Sequence, residues 1–175
     1  MPAAPVLRIL LIFAVVAGSS GRVLAQHKLV LNPNRCLRPS EEQLKWFPPG
    51  WQTYTNYVRV CPVRNLGEKP VLLLASVRAD LYYRAQPGPS VTEVELPSPL
   101  LFMPTGQVSG ILPFNFPDDP PAELRVTFTR WEHGFPHRIE LFLTDPRASG
   151  NRNLPALEWD EAQKKFLSKE NAAHG

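Results

Sequence analysis

Histidine and cysteine are scarce in this chain, four and two in 175 residues, and the two cysteines stand far apart with no C-x-x-C pair. That leaves little material for a thiolate-rich zinc site. No G-x-S-x-G elbow surrounds a serine and no glycine-rich phosphate loop occurs, so neither an α/β-hydrolase nor a nucleotide-binding reading has a starting motif. Acid and base residues are not concentrated as a glycosidase or protease pocket requires, and the chain is expected not to be an enzyme. The apolar run from Ile9 to Gly18 is about half the roughly 20 residues that a spanning helix needs. A charge excess of one sign is also missing once the first residues are set aside. Residues 1–25 take away Arg8 and Arg22 and no acid, leaving seventeen basic against sixteen acidic side chains. A balance this even excludes a dominant nucleic-acid or anionic-membrane face.

What is present begins with a secretory pattern. One positive charge precedes the apolar run, and Val23-Leu24-Ala25 offers a cleavage site before Gln26. The alternative is a retained anchor. Cleavage would leave a domain over 26–154, a segment over 155–175, no stable membrane insertion, and a periplasmic or secreted location. Cys36 and Cys61 then read as one disulfide in an oxidising compartment.

Twenty prolines and ten glycines disfavour long helices and favour short strands joined by rigid turns. Lys28 to Leu31 reads as a first edge strand. Ser40 three residues before Gln43 is a capping box, predicting a helical turn that Pro48-Pro49-Gly50 stops. Trp51 to Val63 is aromatic and β-branched and predicts a long central strand, Val71 to Val77 a strand buried on both faces, Val91 to Leu96 an alternating strand, and Gly106 to Phe116 a bent one. The clearest two-residue period lies in Glu123 to Thr144, where Leu124, Val126 and Phe128 oppose Arg125, Thr127 and Thr129, and Ile139, Leu141 and Leu143 continue beyond a turn. Leu157 to Lys169 has helix-forming composition, and a C-terminal helix is expected there, with a strand pair as the alternative.

The turn Val63-Arg64-Asn65-Leu66-Gly67-Glu68-Lys69-Pro70 between two apolar strands, followed by Pro104-Thr105-Gly106-Gln107-Val108 and a further strand, resembles the immunoglobulin-like β-sandwich modules of bacterial envelope proteins. The amino-terminal domain of periplasmic pilus chaperones is one of these. The resemblance covers roughly Trp51 to Thr144 and implies a fold type alone, because a second sandwich domain and the chaperones' paired basic anchor residues have no counterpart. The expected fold is therefore all-β, a single immunoglobulin-like antiparallel sandwich with a short N-terminal helical turn and a C-terminal helix.

The expected function is a non-enzymatic protein-interaction module, an accessory or assembly subunit of a periplasmic or cell-surface complex. Its partner-binding candidates are Trp131, His133, Phe135 and His137 at the tip of the 123–144 hairpin, with strand parity placing Trp131 on the outer face beside Thr127 and Thr129. Imidazoles at His133 and His137 beside Glu132 are the chemistry of a zinc or copper site, which makes a small metal carrier the second reading. A carbohydrate-binding or hydrolytic domain is the third. No cofactor is expected under the first. Asp118 and Asp119 read as solvated loop charges.

Overall fold

The computed structural model describes residues 27–168 apart from 33–34, 66–68, 87–93, 118–121 and 147–149. The secretory segment, Asp118 and Asp119, and the chain's last residues lie outside the described residues.

Among the described residues, nine strands form two antiparallel sheets. The first sheet has the order β1 (Leu29–Val30), β6 (Glu123–Glu132), β7 (Phe135–Thr144), β8 (Arg152–Asp160) and β9 (Lys165–Ser168). The second runs β2 (Val58–Val63), β3 (Leu72–Val77), β4 (Leu100–Phe102) and β5 (Val108–Ile111). Apart from β1, each sheet is a run of consecutive strands, and the chain passes between sheets only from β1 to β2 and from β5 to β6.

Period-two patterning makes the second sheet the middle of three layers. Cys61, Val63, Leu72, Leu74 and Leu101 face the first sheet and pack with Val126, Phe128, Ile139, Leu141, Leu157 and Phe166. The alternate positions Val58, Val60, Leu73, Ala75, Leu100 and Phe102 face the other way, onto Phe47, Trp51, Ala79 and Leu96. Every residue of β3 is buried as a result, and its continuous apolar run has no solvent face to which polar residues would belong. The outer layer holds the helix α1 (Glu41–Leu44), a 3₁₀ segment over Pro49–Tyr54, and the helix α2 (Ala79–Arg84). Ser40 caps α1 in the reciprocal arrangement with Gln43 expected from the sequence.

The edges where β5 and β9 meet are tightly closed. A methyl group on Gly110 would come to 3.1 Å from both the Leu101 side chain and Phe166 Cβ. At the opposite side the short edge strand β1 and the edge strand β2 stand apart and leave clefts. The Cys36–Cys61 disulfide, with a Cα separation of 4.2 Å, ties the segment after β1 to the inner face of β2, and Leu37 bridges to Val60.

Three expectations change. The stretch from Trp51 is not one long central strand: Pro49 starts a 3₁₀ segment in which the Trp51 amide donates to Pro48 O at 2.9 Å, and only Val58–Val63 is extended, at an edge rather than the centre. Of the expected strand from Val91 to Leu96, residues 91–93 lie outside the described set and 94–96 have no ladder partner, though Leu96 is buried. The C-terminal helix is a hairpin, with β8 and β9 paired from Leu157↔Ser168 to Asp160↔Lys165. Helix-forming residues Glu161 to Lys164 occupy its turn, and burial of Leu157 and Phe166 in the inter-sheet core overrides local propensity.

Candidate interaction site

The β6–β7 hairpin closes through only two residues, His133 at φ 50° and Gly134 at φ 81°. Positive φ at both central positions is the type I′ geometry that matches the strand twist. The register Glu132↔Phe135 then places Phe135 and His137 inside β7 rather than in a loop. Next to this tip lies the β8–β9 turn, where the Gln163 amide donates to Asp160 Oδ1 at 2.8 Å and Lys164 sits at φ 53°.

Between the two turns a groove of about 650 Å³ opens, lined by His133, Phe135, His137, Trp159, Glu161 and Lys164 among others. Its floor is aromatic. The rings of Phe135 and Trp159 are 4.8 Å apart and T-shaped, and buried Phe166 lies 5.1 Å from Trp159 beneath them. His137 stands edge-on to Phe135 at 5.9 Å. Its rim is charged. Glu161 accepts from Trp159 Nε1 at 2.7 Å and from the Lys164 ammonium, and His137 Nε2 lies 4.0 Å from Glu132 Oε2. The Lys164 bond, with a smaller contribution from Trp159, holds the exposed Glu161 carboxyl below its ordinary range.

Three of the four sequence-expected residues thus share one groove. Trp131 does not. Arg130 adopts φ 53°, yet the ladder keeps its register past it, from Thr129↔Arg138 to Trp131↔Pro136. The indole packs against the inter-sheet core, donates to Phe128 O at 3.1 Å and lies tilted against His27 with ring centres 5.2 Å apart. Conversely, Trp159, Glu161 and Lys164 belong to the groove and were not assigned to it from sequence; their signal was the strand-pair alternative at Leu157 to Lys169, which brings that turn beside the hairpin tip.

His133 and His137 line the same groove as Glu132, yet among the described residues no group of three or more His, Cys, Asp or Glu side chains converges to hold a metal. No helix among the described residues is long and apolar enough to cross a membrane. Neither a protein-family model, nor a curated protein, nor a solved structure matches the chain.

Proposed function

We propose that the chain is an exported, non-enzymatic interaction module that binds a protein partner through the groove between the β6–β7 and β8–β9 turns. The observation that carries this reading is the half-buried Phe135–Trp159 pair surrounded by exposed, polar His133, Glu161 and Lys164. Aromatic anchors inside a polar rim are the anatomy of protein interfaces, where a few such rings carry most of the binding energy. The rings meet at 62°, so they offer a pocket for a side chain rather than a flat platform for a sugar face. Both turns are short and fixed by backbone geometry, which keeps the ordering cost of association low.

The disulfide is compatible with an oxidising extracellular or periplasmic compartment. Kinship with immunoglobulin-like envelope modules rests on general shape, two antiparallel sheets packed over a common core; the strand order differs from the shared arrangement of antibody domains.

Affinity capture by the full chain from envelope and secreted fractions tests the reading. The unaltered chain should recover a stoichiometric partner that Glu161→Lys combined with His133→Asn loses, both substitutions being at exposed turn positions. Equal recovery by the variant would move binding elsewhere on the surface.

A further inference from the structure

At the open side of the sandwich, the cleft between β1 and β2 continues into a cavity of about 700 Å³ whose walls carry Arg59, Arg78, Arg84 and Arg125. An adjoining cavity of about 440 Å³ shares Val30, Leu31 and Asn32 and adds Arg35 and Arg64. No lysine lines either one, although the chain as a whole is near neutral after residue 25. Charge is thus segregated to this edge, and it is guanidinium charge, whose planar fork pairs with a carboxylate through two parallel hydrogen bonds.

Among the described residues these cations are only partly neutralised. Arg78 is held by Asp80 through bonds of 2.7 and 2.9 Å. Arg59 is tethered to neighbouring backbone, donating to Val58 O at 2.7 Å and Asn56 O at 3.3 Å, with no carboxylate bonded to it among the described residues. Burial, and then the charges of Arg38 and Arg78, lower its pKa against the opposing charge of Asp80, the direction expected for a cation taken from water beside like charges. Arg84 has no ion pair among the described residues. Arg125 lies over the Phe142 ring, 5.7 Å from its centre.

We infer that this arginine-lined cleft is a second binding surface, one that takes an extended acidic peptide of a protein partner. Two features favour a peptide over a densely charged polymer. Asp80 and Glu123 interrupt the arginines along the cavity wall, which would repel a continuous run of phosphates or sulfates. Val30 and Leu37, 52% and 67% exposed, stand beside the arginines and offer apolar contact to the alternate side chains of an extended segment. The inference rests on the reading that the chain binds protein, but not on the hairpin groove. Glu123 and Glu132 are the two ends of β6, so the sites are separated by roughly 30 Å at strand rise.

The test is fluorescence polarisation with the full chain and a labelled peptide alternating Glu with Val, against matched Lys–Val and Gln–Val peptides and a heparin arm. The acidic peptide should bind, weaken as salt is raised, and be displaced poorly by heparin; the Lys and Gln peptides should not bind. Arg59→Gln with Arg84→Gln should weaken binding about tenfold or more while circular dichroism and the thermal midpoint are unchanged, and Arg59→Lys with Arg84→Lys should recover only part. Acidic-peptide binding that is absent, or equal in the Gln variant, overturns the assignment, and so does preference for heparin. If the peptide fails while affinity capture through the groove still recovers a partner, only this second surface is lost; failure of capture alone strikes the groove and leaves the cleft standing.

Discussion

Opening the Cys36–Cys61 bond should remove a large part of the stability of this domain. The bond closes a loop of sequence separation 25, for which the chain-entropy estimate gives about 3.5 kcal/mol at 25 °C. Domains of this size have net stabilities of roughly 5–15 kcal/mol, so the loss is between a quarter and most of the total. For the structure the consequence is local first. Cys36 anchors the segment after β1, and without the bond that segment is held mainly by the Leu37↔Val60 bridge and by the pairing of β1 with β6. Cys36→Ala with Cys61→Ala adds a smaller packing loss, because Cys61 is a buried member of the inter-sheet core. Urea titration followed by far-ultraviolet circular dichroism, on the oxidised chain, the chain in reductant and the double alanine variant, separates these contributions. The reduced chain should lose about 3.5 kcal/mol and roughly 7–14 °C in thermal midpoint, the alanine variant slightly more. A loss below about 1 kcal/mol in reductant, with the thiols confirmed free, would refute the loop-closure reasoning.

Other sites yield predictions of defined sign. Gly110→Ala should destabilise by about 1–3 kcal/mol, because its methyl group must displace Leu101 or Phe166 where β5 meets β9; chemical denaturation reads this directly, and no change would mean that the edges are not so closely packed. Ser109 and Thr129 are buried hydroxyl residues whose oxygens find no hydrogen-bond partner among the described residues, so Ser109→Ala and Thr129→Val should each raise stability by about 1 kcal/mol, visible as a shifted urea midpoint at constant slope. The hydrogen bond from Arg78 lowers the Asp80 pKa from 3.8, so its contribution is fully present above the unfolded value and lost as pH falls through the lower folded one. Asp80→Asn should therefore cost about 0.5–1 kcal/mol at neutral pH, and the gap from the unaltered chain should close as pH drops below 3.8; a gap that persists in acid would contradict the ion pair as its origin.

The β content and the 123–144 hairpin were legible because period-two burial is a local property: Leu124, Val126 and Phe128 need only one covered face to show it. The Ser40 capping box was legible for the same reason, since both partners lie within four residues. What failed depended on distant contacts. Glu161 to Lys164 carry helix-forming side chains, but the core needs Leu157 and Phe166 on facing strands. Trp51 sits in an aromatic stretch like a strand, while its place under Phe47, 5.2 Å away and parallel, belongs to a helical layer that nothing in the local pattern announces. Parity says from which face of β6 Trp131 leaves, and the ladder keeps that register, but parity does not say that the indole then packs against the inter-sheet core. The candidate site was accordingly half visible, with its hairpin side read from sequence and its Trp159–Lys164 side supplied by the fold.

The groove between the two turns is expected to contact a partner protein directly. Photo-crosslinking measures that contact, with a benzoylphenylalanine placed at His133 on the groove rim and, as a control, at exposed Gln52 in the 3₁₀ segment. Binding through the groove requires one crosslinked species of defined mass from position 133, suppressed by Glu161→Lys, and none from position 52. Crosslinks of equal yield from both positions, or from position 52 alone, would contradict it.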